Sequence, residues 1–282
     1  MSVSGILQLF AGRPHNPIGA DGRMALSDHM RELRARMLKS AVVIVLGVIV
    51  SLFFYDQIFQ LVQTPYNAAR DALEAKGANV ASEGVVTGVG GPLMLQLKLC
   101  GLVGLVATSP YWLYQIWAFI LPGLHRRERK WSRVFAAIAG PLFLAGVVLG
   151  YLTLPKGLEI LIGFTQADLT NLVEFGDYLT FLTRTLLVFG IAFEIPVFVI
   201  LLNLAGILSG RALAAHRPWI VLGTFVFAAV ATPSTDPFTM LLLAIPMLIL
   251  FVVSELICRV LDRRRRDRDE LAGIGDDELS PL

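Results

Sequence analysis

A series of long apolar stretches limits how this chain can fold more than any other feature does. A helix that spans a bilayer needs about 20 mostly apolar residues. Six stretches approach or reach that length: Leu38–Tyr55, Leu93–Ala118, Val134–Pro155, Leu179–Leu202, Trp219–Thr232 and Phe238–Cys258. We therefore predict an all-α integral membrane protein with six transmembrane helices. The fifth helix is short and would cover only about 21 Å, so we expect local bilayer thinning or burial by its neighbours.

The composition agrees with a membrane protein and argues against several other classes. The 282 residues are 55% hydrophobic and only 16% charged, whereas soluble domains carry roughly 25% charged residues. A net charge of +2 gives no support to nucleic-acid binding. Cys100 and Cys258 form no CxxC or Cys/His cluster, so we expect no metal or other cofactor. No nucleotide-binding loop is present and no histidine lies in a predicted span, so we do not expect an enzyme.

The distribution of Lys and Arg predicts the orientation. Basic residues crowd the N-terminal segment, the loop between spans two and three, and the segment after span six. The opposite loops hold only Arg70, Lys76 and Lys156. By the positive-inside rule, both termini are expected in the cytoplasm. We divide the chain into a disordered cytoplasmic extension (1–26), a membrane domain (27–261) and a charged cytoplasmic tail (262–282).

Two outer segments contain prolines, which restrict the backbone conformation of the residues around them. The stretch "DQIFQLVQTPY" (56–66) has the pattern of a short amphipathic helix at the membrane interface, and we expect it to end before Pro65. Asp236 lies in the outer turn "TPSTDPF", where an aspartate before a proline is ordinary turn chemistry.

Two carboxylates fall in cytoplasmic segments rich in arginine. Glu32 and Arg36 are four residues apart in "SDHMRELRARMLKS" (27–40), a spacing that predicts a local helical ion pair. Glu128 is the only acid in its loop and has basic residues on both sides, which favours a weak surface salt bridge. Each carboxylate is also suited to receive a cation at the cytoplasmic surface. The residues alone leave both interpretations open.

Glu194 lies in the apolar stretch "LLVFGIAFEIPVFVILL" (186–202). A carboxylate there costs about 2.5–3.5 kcal/mol on insertion scales. It would lie about 12 Å from the cytoplasmic end of its helix and about 15 Å from Arg184, too far for a direct pair. Pro196 removes an N–H and frees the carbonyl of Ala192 nearby. Glu194 is therefore either buried against other helices of this chain or lines a groove that meets another subunit or a wet cavity. Carboxylates inside a membrane usually have a functional role, which favours a function for Glu194 over a purely structural one.

Four segments resemble the TatC family of twin-arginine protein translocases. They are "DHMRELRARM" (28–37), "SPYWLYQIWAFILPGLHRRERKW" (109–131), "FGIAFEIPV" (189–197) and "ATPSTDPFTMLLLAIPM" (231–247). Met30 replaces the leucine of the family's N-terminal pattern, and the outer turn has one more residue than in some members. The resemblance covers residues 28–261.

This resemblance implies a receptor for signal peptides with paired arginines, in a complex that exports folded proteins across the cytoplasmic membrane of a prokaryote. It implies single-span partners similar to TatA and TatB, a homo-oligomer within the larger complex, and transport driven by the proton-motive force. The alternative is a small-molecule secondary transporter with Glu194 as a proton relay. The missing internal repeat counts against that alternative.

The resemblance also assigns roles to individual residues. It places Glu32, Arg34, Phe119 and Glu128 at the signal-peptide site. It places Glu194 in contact with a partner helix within the membrane, and it makes Pro65 and Asp236 functional positions on the outer side.

Overall fold

The computed structural model describes residues 26–76, 85–120, 129–165, 173–232 and 237–273. In these ranges the chain is helical, and the only β feature is an isolated bridge between Val85 and Glu174. The helices are α1 (Leu26–Phe53), α2 (Tyr55–Glu74), α3 (Gly91–Ala107), α4 (Ser109–Ile120), α5 (Arg129–Gly163), α6 (Phe175–Leu204), α7 (Gly210–Ala215), α8 (Arg217–Ala231) and α9 (Pro237–Gly273). The predicted all-α membrane class is confirmed.

Four helices are long and apolar enough to span a membrane: α1, α5, α6 and α9. Helices α3 and α4 pass the same test as a pair but are bent by 57° where they meet. Helix α8 has 15 residues and stands where the short fifth helix was predicted. The count of six spans and the cytoplasmic location of both termini stay predictions.

The bend between α3 and α4 corrects the prediction of one straight helix over Leu93–Ala118. Pro110 has no backbone N–H and cannot continue the hydrogen-bond ladder of α3. Side chains bond the carbonyls near the break instead: the Thr108 hydroxyl donates to the Gly104 carbonyl (2.7 Å) and the Trp112 indole N–H donates to the Leu105 carbonyl (2.9 Å). These two bonds satisfy the carbonyls of Gly104 and Leu105 at the bend, which stabilises it in an apolar environment.

Helix α5 also differs from its prediction, because it continues through Pro155 to Gly163. Leu158 and Ile162 of this extension are buried, and α5 packs against α2. Glu159 pairs with Lys156 on its own helix and with Lys76 just after α2. This packing and pairing stabilise the part of α5 beyond the proline.

The chain divides into two compact units, Met1–Gly190 and Ile191–Leu282. In the first unit, α1 packs on α3 and α4, while α5 packs on α2 and α4. In the second unit, α9 packs against α7 and α8.

The contact between α1 and α3 requires a glycine. A Cβ atom on Gly104 would lie 2.6 Å from the backbone N of Val48, closer than real side chains approach. A Cβ atom on Gly47 would meet the Thr108 methyl group at 2.7 Å. Small residues at such crossings let two helix backbones approach closely. This crossing sets the distance between α1, which carries Glu32, and α3, which is followed by α4 with Phe119.

Candidate functional site

Glu32 and Arg36 of α1 form the ion pair that their spacing predicts, and a glutamine of α4 joins them. Arg36 donates through Nε (2.9 Å) and Nη2 (2.6 Å) to Oε1 of Glu32. Its Nη1 donates to Oε1 of Gln115 (3.0 Å). Gln115 is buried, and the side chains of Glu32 and Arg36 are 17% and 23% exposed. The guanidinium therefore links α1 to α4, while both charged side chains keep part of their surface exposed.

An aromatic pair lies beside this ion pair. The rings of His29 on α1 and Phe119 on α4 are stacked, with centroids 4.3 Å apart and planes inclined by 13°. We name these five residues the α1–α4 patch: His29, Glu32, Arg36, Gln115 and Phe119. It combines a fixed carboxylate with flat aromatic rings, and the ring of Phe119 in particular is a suitable surface for a guanidinium group.

Both bonds from Arg36 to Glu32 end on the same oxygen, Oε1. Within the described residues no hydrogen bond reaches the other oxygen, Oε2. An ionised carboxylate has roughly four acceptor positions on its two oxygens. On the described contacts, Glu32 therefore keeps acceptor positions for a second cation while Arg36 remains bound.

The structure gives less support to Arg34 and Glu128, the other two residues assigned to this site. Arg34 is exposed on α1, and a separation of two residues puts it on a different helix face from Glu32. Glu128 lies outside the described residues. Sequence reasoning did not select Gln115 as a site residue. The feature that could have identified Gln115 from the sequence is that it is the single amide side chain in the aromatic stretch "SPYWLYQIWAFI".

Pro65 does not end its helix, contrary to the prediction. Helix α2 runs through Pro65 to Glu74 and buries one face at helical spacing. Proline leaves the carbonyl four residues earlier without its helical donor. That carbonyl belongs to Leu61, and the Tyr151 hydroxyl of α5 donates to it (2.8 Å). The Tyr178 hydroxyl of α6 donates to the adjacent carbonyl of Val62. Two tyrosines thus stabilise the helix at its proline and hold α2 against α5 and α6.

This arrangement predicts a non-additive effect of two substitutions. Tyr151→Phe should destabilise the protein by about 0.5–1.5 kcal/mol, because the Leu61 carbonyl loses its donor. In a Pro65→Ala background the alanine N–H bonds that carbonyl, so Tyr151→Phe should cost much less. Thermal unfolding of the four proteins in detergent measures this coupling. Equal effects of Tyr151→Phe in both backgrounds would show that the hydroxyl serves another purpose.

Glu194 lies on α6 in the second unit and is partly buried. Helix α6 continues through Pro196 to Leu204. An apolar groove of about 330 Å³ is lined on α6 by Ala192, Ile195, Pro196 and Val199. These residues occupy the helix face opposite Glu194, as a period of 3.6 residues requires. Glu194 therefore does not line this groove. Asp236, the remaining assigned position, lies outside the described residues.

The second unit contains a buried carboxylate that sequence reasoning missed. Glu255 of α9 is 2% exposed. Arg217 donates to both of its oxygens, through Nε (2.7 Å) and Nη2 (2.6 Å), and Nη2 of Arg259 lies 2.7 Å from Oε1. This bidentate pair links the start of α8 to α9. The feature that could have identified Glu255 from the sequence is a glutamate within the apolar run "FVVSELICRV".

Comparisons with known proteins place these features in a family. Residues 28–246 match the family model described as Sec-independent protein translocase protein (TatC). A Sec-independent protein translocase protein TatC of Frankia casuarinae is 40% identical over 272 residues, 93% of this chain and 74% of that protein. One from Deinococcus radiodurans is 34% identical, over 83% of this chain and 86% of that protein.

Solved structures agree. A crystal structure of the twin-arginine translocase receptor TatC superposes with a TM-score of 0.65 at 30% identity. It covers 82% of this chain and 98% of the solved chain. A second crystal structure of that receptor, in the detergent DDM, gives a TM-score of 0.67 at 29% identity.

Proposed function

Because the chain belongs to the TatC family of Sec-independent protein translocase proteins, we propose that it is the receptor subunit of a twin-arginine translocase in a prokaryotic cytoplasmic membrane. Its task is to bind paired-arginine signal peptides on folded precursor proteins. The observation that carries this proposal is the α1–α4 patch. There a carboxylate with spare acceptor capacity lies beside a stacked aromatic pair.

The proposed binding mode uses two carboxylates from separate segments. Glu32 receives one arginine at Oε2, while Arg36 holds Oε1 and keeps the carboxylate in place. Glu128, in the basic segment of sequence between α4 and α5, receives the other. Phe119 stacks on His29, and its ring contacts the bound peptide. Arg34 is assigned to the site by the family resemblance alone, since it lies on the other side of α1 from Glu32. At Glu32 the arginine donates two N–H groups to the single oxygen Oε2, as Arg36 already does to Oε1. The compact ammonium group of lysine does not reproduce this planar donor geometry.

This mode is tested by comparing two peptides on the full-length protein in detergent. One peptide carries the paired arginines, and the other carries lysines at the same two positions with an identical net charge. We expect the lysine peptide to bind at least tenfold more weakly, because its ammonium groups do not reproduce the paired N–H donors that the two arginines present to the carboxylates. Equal affinities would mean that the protein responds to positive charge alone.

We further propose that the protein works in a complex with single-span partners similar to TatA and TatB, as one of several copies, with export driven by the proton-motive force. Both termini then lie in the cytoplasm, as the distribution of Lys and Arg predicts. Pro65 and Asp236 act on the outer side. For Pro65, the support is its tyrosine-held position at the contact of α2 with α5 and α6.

Glu194 is proposed to contact the transmembrane helix of a partner. Glu194→Ala should leave membrane insertion unchanged, since removing a carboxylate from an apolar helix favours insertion. It should reduce both the recovery of single-span partners with the protein and the export of a reporter precursor. Glu194→Gln serves as the control, because it keeps the hydrogen-bonding shape without the charge. Normal export by Glu194→Ala would make the carboxylate dispensable.

A further inference from the structure

A basic cleft opens in the second unit beside α7 and the C-terminal part of α9. Its volume is about 570 Å³. The charged residues that line it are Arg211, Arg259, Asp262, Arg263, Arg266 and Asp267. Four arginines thus face two aspartates, which leaves the cleft positively charged. The proposed signal-peptide site makes no use of these residues.

The contacts of the lining residues show which charges in the cleft already have partners. Each oxygen of Asp262 already accepts one hydrogen bond: Oδ1 from the Asn203 amide (2.8 Å) and Oδ2 from the Gly210 backbone N–H (2.6 Å). Arg259 is shared with Glu255. In the described part of the chain, Arg211, Arg263 and Arg266 form no ion pair. Arg211, Arg263 and Arg266 therefore supply the excess of positive charge over the acids that line the cleft.

The position of the cleft along α9 indicates where such an anion comes from. Leu256 and Val260 are 62% and 46% exposed on the apolar part of the helix. Within one turn of Val260, the sequence changes to a run of arginines. Large exposed apolar side chains on a membrane helix face lipid, so the cleft lies where the lipid-facing surface ends. Basic pockets at this level bind the head groups of anionic lipids.

We propose that this cleft binds the phosphate group of an anionic phospholipid from the adjacent leaflet. Arg263 and Arg266 contact the phosphate oxygens, for which the planar guanidinium is well suited. The acyl chains lie along the exposed apolar surface near Leu256 and Val260. An acidic segment of a soluble protein would match the charge but would leave this apolar surface unused.

The test uses the full-length protein in detergent, with bound lipids counted by native mass spectrometry during titration. The probes are phosphatidylglycerol, phosphatidylcholine and inorganic phosphate. We expect Arg266→Gln to weaken phosphatidylglycerol binding about fivefold, and Arg263→Gln with Arg266→Gln more than tenfold. Arg264→Gln is the matched control, because Arg264 is exposed on the same helix but does not line the cleft. It should change the affinity less than twofold.

Phosphatidylcholine should bind weakly and equally to all variants, since its head group has no net charge. Equal losses in Arg264→Gln and Arg266→Gln would reduce the effect to general surface charge and overturn the proposal. Binding of inorganic phosphate as tight as that of phosphatidylglycerol would also overturn it, because the acyl chains would contribute nothing. All these variants leave the α1–α4 patch intact, so signal-peptide binding in detergent should be unchanged.

Discussion

Glu32→Gln should weaken binding of a paired-arginine peptide roughly 10- to 100-fold. The substitution keeps the size of the side chain but removes its charge, so a charge-assisted contact worth about 1.5–3 kcal/mol is lost. The same variant should bind the lysine peptide almost as well as the unchanged protein does. Isothermal titration or fluorescence anisotropy on the purified protein measures both affinities.

The control for Glu32→Gln is Glu74→Gln, the same chemical change at the exposed end of α2. It should leave peptide binding unchanged. An equal loss for both peptides in Glu32→Gln would point to a general electrostatic effect and contradict recognition of arginine by this carboxylate. Glu32→Gln also releases Arg36, so circular dichroism should confirm that the helical content is preserved.

Gly104→Ala should destabilise the protein, whereas Gly101→Ala should not. A Cβ atom at position 104 would lie 2.6 Å from the backbone N of Val48, while one at position 101 meets nothing within 4 Å. Overpacking of this kind costs about 1–3 kcal/mol, and here the obstacle is backbone that no rotamer change can move. Alanine at position 101 should be neutral or stabilise the helix by up to about 1 kcal/mol.

Thermal unfolding in detergent distinguishes these two glycine variants. The pair is matched because both substitutions add one methyl group to α3, one turn apart. Gly104→Ala should also weaken peptide binding, because the crossing of α1 and α3 sets the spacing of the α1–α4 patch. Equal melting temperatures for Gly104→Ala and Gly101→Ala would show that the two helices separate without cost.

Local patterns in the sequence predicted much of the structure. The apolar runs predicted the helical membrane class, and the spacing of Glu32 and Arg36 predicted their ion pair. The short fifth helix corresponds to α8. Each of these features depends on residues a few positions apart on one helix, which is the range in which periodicity is informative.

The features that the sequence did not predict depend on partners far away in the chain. Helix α2 passes through Pro65 because the hydroxyls of two tyrosines bond the carbonyls of Leu61 and Val62, which lie 90 and 116 positions from them in the sequence. Arg36 is bound by Gln115, 79 positions away. The local rule for proline is correct in predicting a free carbonyl, but whether the helix ends there depends on what else binds that carbonyl.

The most direct test of the receptor assignment is photo-crosslinking from the α1–α4 patch to a complete precursor in membrane vesicles. A photoreactive residue in place of Ile120, which is exposed next to Phe119, keeps all five residues of the patch. We predict a crosslink to the signal peptide near its paired arginines, lost when both arginines are changed to lysine and lost with Glu32→Gln. A crosslink of equal yield for the arginine and lysine precursors would contradict the account.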